Sequence, residues 1–588
     1  MFSFSTALGV LAILLLLSGL DDLIPLSILL RSLARRRHHA TTPSRSDEEI
    51  PERRIAIFVP CWRESAVIGN MVRHNLAVIR YHSFDFFLGV YPNDADTVHV
   101  AEQLESEFSN VHKAECAHPG PTSKADCLNW IYQRMELFEA EHGMRFDTIV
   151  LHDAEDLIHP QAFPVINRER AHYDMVQVPV LPLETGFFDV THGVYCDEFA
   201  EYQTIDMRAR QISRSFIPSN GVGTGFAREI LDKLARKNDY RPFDPGSLTE
   251  DYEIGVSIHE MGYRQTFAPL AQSEQGIIAT REYFPRSMRA AIRQRTRWIT
   301  GIALQTWERH GWRGSWRTRY WFWRDRKGLI MNPLSVIANA VFIAGVLDYL
   351  ATWLLHRPWH FTVQNYLVAR LCATALVLQC FRVALRSVCV GRLYHPAVAS
   401  GVLLRSFHAN LINSAAAFCA VRTYIQARRR QRALAWNKTD HAYPHRDTLH
   451  AHRRDLADVL VGHGYLSAEQ VAEARAQLEV GATLDLLLLA NPLIDENALC
   501  KAMSLQSGLP TARIDPDNVN TRILRGLPAR IAKEFKALPF AVKSGRLLVA
   551  TPTVPTPAAV EIVQGATELP VDFQLVTHST YQKLRDLL

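Results

Sequence analysis

The apolar positions of this chain fall into distinct regimes. Residues 4–30 are almost continuously apolar and end on the basic run Arg31-Ser-Leu-Ala-Arg-Arg-Arg37. Between residues 55 and 151 the apolar positions come in short runs, at 55–59, 84–91 and 146–151, separated by polar stretches with helical spacing. Runs of that length, rich in Ile, Val and Phe, predict buried strands of an α/β sheet. After Trp298 the apolar stretches lengthen to residues 329–355 and 364–382. Each suffices to cross a bilayer, which takes roughly 20 residues. A third apolar stretch, residues 396–421, carries Arg405, His408, Asn410 and Asn413 in its interior. From Arg453 onward the pattern returns to short amphipathic helices (456–509) and strands at 547–550 and 571–576.

The orientation of the spans follows from charge. A cleaved signal peptide carries its basic residues before the apolar run, and here they follow it, so residues 1–37 read as an uncleaved anchor with its C-terminal end in the cytosol. Asp21 and Asp22 interrupt the anchor; they sit near a membrane face or face a partner helix, since a lipid-facing pair is costly. Two further spans bring the chain back inside. A crossing by residues 396–421 would place Arg428-Arg-Arg-Gln-Arg432 outside, against the positive-inside rule. That stretch is therefore expected to lie along the cytoplasmic surface as an amphipathic helix.

Composition changes this picture only locally. Over 588 residues the hydrophobic share is 48% and the formal net charge +5. From Arg286 to Lys327, however, twelve Lys/Arg face only Glu308 and Asp325, and six of the eleven Trp lie in that window. A basic, Trp-rich segment ahead of an apolar run reads as the cytoplasmic face of a bilayer, which displaces nucleic-acid binding as the meaning of the charge. The nine Cys are scattered without a Cys-x-x-Cys pair, so neither a zinc site nor a disulfide framework is indicated.

Two stretches carry candidate chemistry. Ser247-Leu-Thr-Glu250-Asp251 has helix-start character, with Ser247 and Glu250 spaced as a capping box. A carboxylate held there suits a general base on a sugar hydroxyl, which points to Asp251 with Glu250 beside it. In Gln294-Arg-Thr-Arg297-Trp298, Gln294, Arg297 and Trp298 share one helix face. An amide and a guanidinium can grip a pyrophosphate, and an indole can stack on a sugar ring. Taken alone, the same segment would serve as a basic helix anchored at a membrane. Acids also follow the third predicted strand, in His152-Asp153-Ala-Glu155-Asp156, where ligands of α/β sheets bind. Clustered carboxylates there suit a hard divalent cation bridging a diphosphate.

A Thr-Glu-Asp followed some forty residues on by Gln-x-x-Arg-Trp, ahead of hydrophobic spans, resembles the processive family 2 glycosyltransferases. The wording Arg293-Gln-Arg-Thr-Arg-Trp-Ile-Thr-Gly301 is similar to one branch, the phage-adsorption protein B family. The resemblance implies an inverting transferase with a glycosyltransferase A-type α/β domain, using a nucleotide sugar such as a UDP-sugar. It implies Mg²⁺ or Mn²⁺, held by an Asp-x-Asp motif; Asp153 and Glu155 keep that spacing with Glu in second place, and Asp156 would require a shift. It places Glu64 in the nucleotide loop Pro60-Cys-Trp-Arg-Glu64, where Arg63 replaces the family's Asn. It also implies a base or ribose contact from an Asp after the second strand (Asp94, with Asp96 as the alternative), and a phosphate or ribose contact from Lys124. Gly223-Thr-Gly-Phe226 resembles the family's acceptor-side turn, and Trp436-x-Lys438-Thr439 a loop closing over the nucleotide.

The C-terminal region resembles the N-terminal domain of type II secretion ATPases (MshEN-like), used elsewhere as a cyclic di-GMP receptor. Val461-Gly-His-Gly-Tyr-Leu-Ser and Leu505-Gln-Ser-Gly-Leu-Pro510 carry the likeness. The first repeat keeps Gly464 but has Ala457 in place of its other glycine, and the second has Asp485 and Pro492 in place of both, so the fold likeness survives while cyclic di-GMP binding is carried over only weakly. The expected organisation is an anchor (1–37), a linker (38–53), a transferase domain with interface helices (54–327), spans and an interfacial helix (328–432), a linker (433–452) and a small α+β domain (453–588). The expected function is extension of an exported polysaccharide at a bacterial inner membrane, with catalytic and C-terminal domains cytoplasmic and an outer-membrane export partner suggested by the family's name. The rival readings are a non-processive transferase onto a lipid-linked sugar and a catalytically inactive assembly protein.

Overall fold

A computed structural model of the protein describes residues 4–38, 50–273, 275–356, 365–430, 455–462, 465–477, 484–490, 494–543 and 545–588. The Trp436-x-Lys438-Thr439 loop, Arg432, Gly464, Thr483 and Pro492 lie outside the described residues. The chain divides into two compact units, Met1–Ile68 with Ser83–Tyr443, and Gly69–His82 with Pro444–Leu588.

The first unit opens with helix α1 (Phe4–His38). Strand β1 (Ile55–Pro60) and helix α2 (Ile68–Val78) follow, most of α2 being assigned to the second unit. Next come β2 (Phe84–Val90), α3 (Ala95–Glu107), β3 (Val111–Glu115), α4 (Lys124–His142), β4 (Thr148–Leu151), α5 (Ala162–Arg170), β5 (Met175–Gln177) and β6 (Val180–Pro182). Helices α6 (Val190–Glu201) and α7 (Met207–Ile212) are joined by a π-helical turn and lead to β7 (Thr224–Ala227), α8 (Arg228–Lys237), α9 (Glu250–Glu260) and β8 (Gln265–Phe267). A short ladder, β9 (Gln272–Ser273) with β10 (Gly276–Ile277), precedes β11 (Thr280–Glu282) and α10 (Met288–Ile299).

The seven-stranded sheet has the order β3-β2-β1-β4-β7-β5-β8. Its first four strands are parallel, and β7 runs antiparallel to both β4 and β5. The strands expected at 55–59, 84–91 and 146–151 form β1, β2 and β4. The last starts late, at Thr148, because Asp147 turns out to accept the Arg54 amide at 3.0 Å. Strands β3, β5, β7 and β8 are short and were not legible as apolar runs. Around β7 the glycines have a partner within the chain: a Cβ at Gly223 would meet Thr280 (2.6 Å) and one at Gly225 would meet Ile166 (2.7 Å), so both are small enough to admit the protein's own side chains. The core between sheet and helices is aromatic and aliphatic, with Phe58, Phe87, Phe146, Leu128, Ile131 and Ile254 buried.

Beyond α10, a second π-helical turn leads to α11 (Thr306–His310), α12 (Trp316–Arg326), α13 (Gly328–Leu355), α14 (Tyr366–Leu393), α15 (Pro396–Ser400) and α16 (Val402–Arg429). Among the described residues three helices are long and apolar enough to cross a membrane: Ser5–Arg35 within α1, α13 and α14. The acids inside α1 face partners. Arg324 donates to Asp21 (3.0 Å) and Asp22 (3.3 Å), Lys327 to Asp21 (2.6 Å), and Arg382 pairs with Asp22 (3.0 Å). Helix α16 falls outside the membrane-spanning class. It packs on α6, α10 and α13, burying Ile412 and Ala416 together with Arg405, which makes a bidentate pair with Asp197 (2.8 Å for both bonds).

The second unit contains helices Leu456–Gly462, Ala468–Ala476, Leu484–Ala490 and Glu496–Ser507, and a three-stranded sheet of β12 (Leu538–Lys543), β13 (Arg546–Thr551) and β14 (Val571–Leu575). β13 runs antiparallel to β12 and parallel to β14. Leu524, Leu538, Ala550, Val576, Tyr581 and Leu584 form its core.

Candidate active site

A cleft opens at the C-terminal ends of β1 and β4, where a parallel sheet exposes ligand-binding loops. Glu64 reaches it from the loop after β1, Lys124 from the start of α4, and Asp153 and Glu155 from the loop after β4. Glu250 and Asp251 enter from the first turn of α9, and Gln294, Arg297 and Trp298 from one face of α10. Residues separated by more than 230 positions thus share one wall.

The first of the two motifs touches the chain just past the second. The N-cap of α9 is Thr249, with no side-chain capping bond, so the Ser247–Glu250 capping box expected from the sequence does not form. Thr249 instead packs against Gly301, two residues past the end of α10, where a Cβ would collide with the Thr249 side chain. Helix α10 itself is capped by Ser287, which accepts the Ala290 amide at 3.3 Å. On the cleft side Trp298 stands edge-on to Tyr195 (6.1 Å) and Phe284 (6.3 Å). The Gln294 amide oxygen is buried with no hydrogen-bond partner among the described residues.

The electrostatics centre on Lys124. Its ammonium pairs with Asp153 and donates to Gly221 O at 3.4 Å. Burial opposes its charge, but Asp153, Glu250 and Asp251 outweigh burial and hold it above the usual lysine range. Gly221, at φ 78°, brings the backbone against Asp251: a Cβ there would lie 2.7 Å from Asp251 Oδ2. Burial, then the neighbouring Asp251 charge, push Glu250 up to about 7. Burial also raises Asp251, against the opposing pull of Lys124.

The loop after β4 is held from behind. His152 Nδ1 and Asp156 Oδ2 are 2.6 Å apart in the core, and Asp156 Oδ2 also accepts the Asp153 amide at 3.0 Å. Burial keeps His152 neutral, at about 3, and burial with the Asp153 and Glu155 charges holds Asp156 well above the carboxylate range. Asp156 is thus part of the scaffold, and Asp153 and Glu155 stand on the cleft wall. Among the described residues no group of three or more His, Cys, Asp or Glu is disposed to hold an ion. Two hard carboxylates are the donor set for a cation that arrives on a diphosphate and keeps its other ligands, and Mg²⁺ is commonly held in that way.

Asp94 stands apart from the other predicted residues. It does not line the cleft; its carboxylate accepts the Arg63 amide at 2.5 Å, at a residue with φ 56°. Asp94 therefore shapes the turn that carries Glu64, and the alternative, Asp96, is exposed in the first turn of α3. Residues that the sequence reading missed include Trp62 and Tyr91, whose rings meet edge to face at 5.3 Å, together with Asn220, Glu282 and Phe284. No spacing in the sequence marked Glu282 and Phe284, because β11 is held in place by pairing with β6, about a hundred residues earlier.

A sequence model described as "Glycosyltransferase like family 2" matches residues 51–301, and one described as "MshEN domain" matches residues 507–587. Bacteriophage adsorption protein B of Escherichia coli (strain K12) is 33% identical over 566 residues, covering 92% of this chain and 75% of its own. Bacteriophage N4 adsorption protein B of Escherichia coli O157:H7 matches with the same figures. Among solved structures, the mannosyltransferase PcManGT from Pyrobaculum calidifontis, in complex with GDP-Man and Mn²⁺, matches with a TM-score of 0.42 at 14% identity, over 70% of this chain and 99% of its own. MshE with cdg matches with a TM-score of 0.20 at 26% identity, over 23% of this chain and 96% of its own.

Proposed function

The chain belongs to the bacteriophage adsorption protein B family and carries a family 2 glycosyltransferase domain, and from that premise we propose that it extends an exported polysaccharide from a UDP-sugar at the inner membrane. The observation that carries this reading is the convergence of the two distant motifs, together with Lys124 and the Asp153–Glu155 loop, on one cleft.

In the proposed reaction Asp251 removes the proton from the acceptor hydroxyl as that oxygen attacks the anomeric carbon, and the UDP oxygen leaves from the opposite face, inverting the centre. Glu64 lines the nucleotide side. Lys124 and Arg297 neutralise the departing diphosphate, and the buried, unpartnered oxygen of Gln294 is available to a donor or acceptor hydroxyl. Asp153 and Glu155 would hold Mg²⁺ or Mn²⁺, which supplies further charge neutralisation on the diphosphate. Trp298 offers its face to the acceptor sugar. Helices α1, α13 and α14 are read as spans, with α16 at the cytoplasmic surface and the catalytic unit inside, where UDP-sugars are made.

The test is UDP release by purified membranes given a panel of UDP-hexoses and UDP-N-acetylhexosamines, with product length measured. One active donor giving long chains supports the reading. Single-sugar addition to a lipid would replace it with the non-processive reading, and no turnover with any UDP-sugar would sink the choice of donor.

A further inference from the structure

The residue after Asp251 connects the active site to the membrane region. Tyr252 is buried, and its hydroxyl donates to Asp325 Oδ2 at 2.6 Å. The other oxygen of Asp325 takes the guanidinium of Arg210, which is 1% exposed. That guanidinium lies between the rings of Phe216 (5.1 Å) and Trp321 (4.5 Å), and Phe216 meets Tyr252 edge to face at 5.7 Å. Trp321 is in turn pinned by its indole N–H, which donates to Ser213 Oγ at 2.9 Å. Among the described residues Arg210 Nε and Nη1 are buried without hydrogen-bond partners, so Asp325 is the counter-ion on which its burial depends.

Asp325 lies near the end of α12, the helix that runs directly into α13. Its neighbour Arg324 points to other partners, donating to Asp206 at 2.9 Å and to Asp21 of the N-terminal helix at 3.0 Å. Adjacent residues of one helix are therefore tied in different directions, one to the membrane anchor and one to the helix that starts with the catalytic pair. A buried ion pair is a poor source of stability, because removing both charges from water costs about what their attraction returns. Geometric definition is the gain such a pair offers: both oxygens of Asp325 are committed, and Tyr252 has one place to stand.

We propose that the Arg210–Asp325–Tyr252 network is a positioning element that sets the Glu250–Asp251 turn against the acceptor, and that it takes its reference from the membrane-anchored α12. This rests on the reading of Asp251 as the base. None of the three side chains lines the cleft; they act through the turn. A base misplaced by about 1 Å costs on the order of 10²-fold in rate, so small shifts of α9 suffice.

The test uses the full chain in lipid nanodiscs, with UDP release from the active UDP-sugar read as kcat and donor KM. Tyr252→Phe removes one hydroxyl and leaves the Arg210–Asp325 pair intact, so it keeps the fold even where Asp325→Asn does not. Both variants are expected to lower kcat about 10- to 100-fold, with donor KM within about threefold. The double variant should be no slower than the slower single one, because the two residues act in series. A Tyr252→Phe enzyme with kcat within twofold of wild type, whether or not its melting temperature falls, would overturn the proposal, as would a rise in donor KM at unchanged kcat. Asp251→Asn is measured alongside. If it stays active, the base assignment fails; if it is dead while Tyr252→Phe is unimpaired, the positioning role alone fails.

Discussion

At the residue scale the proposed reaction turns on two adjacent carboxylates in a buried turn. Asp251→Asn should keep UDP binding, seen by calorimetry, and lose about 10²- to 10⁴-fold in transfer, the usual worth of general-base help. The pH dependence follows from burial. A base must be ionised to act, and the Glu250–Asp251 pair releases its protons late, with Glu250 at about 7. The acidic limb of kcat/KM, which reports the free enzyme, should therefore lie above the roughly pH 4 of an ordinary carboxylate. Glu250→Gln removes a neighbouring negative charge and should move that limb to lower pH. A limb that stays near pH 4 in the parent enzyme would count against a buried base. Gly301→Ala tests the contact between the first motif and the chain just past the second: the new Cβ meets Thr249. The cost expected from overpacking is about 1–3 kcal/mol, read as a lowered melting temperature together with slower UDP release.

At the scale of elements, helix spacing alone was enough to place Gln294, Arg297 and Trp298 on one face, and α10 presents all three to the cleft. The acids after β4 were legible as a cluster, but their division of labour was not. Asp156 turns inward because His152, four residues before it, is buried with it. The cation reading is tested there. Transfer should require Mg²⁺ or Mn²⁺, and Asp153→Ala should abolish it; full activity in excess chelator would leave the loop only a structural part. Asp153→Ala also frees Lys124 from its partner, so UDP binding should be measured for that variant too, to separate loss of the metal from a displaced lysine.

At the scale of the whole molecule the predictions concern topology and the C-terminal module. Reporters fused after Arg37 and after Arg432 should both read as cytoplasmic; a periplasmic signal after Arg432 would make α16 a fourth span. The C-terminal sheet matches the MshEN model over residues 507–587, but the receptor repeats lie before that segment and three of their four glycines are replaced, by Ala457, Asp485 and Pro492. Asp485 also adds a negative charge where a dianionic ligand would approach. Calorimetry with cyclic di-GMP should therefore show weak or absent binding. The full chain is the proper sample, because residues 69–82 belong to the same compact unit. A sub-micromolar affinity would overturn this expectation and mark the module as a switch.

The sequence by itself determined the three apolar helices, the strands at 55–59, 84–91 and 146–151, and the residue types that meet in the cleft. These rest on local periodicity and on short motifs, which act over a few residues. Tertiary structure alone decided that Asp94 holds a turn, that Gly223 and Gly225 admit the chain's own side chains, and that Asp21 and Asp22 face Arg324, Lys327 and Arg382. It also decided that Tyr252 answers to a helix seventy residues away. Each of these depends on a partner far along the chain, and a buried polar group is defined by its partner. Periodicity carries no information about which distant residue that will be.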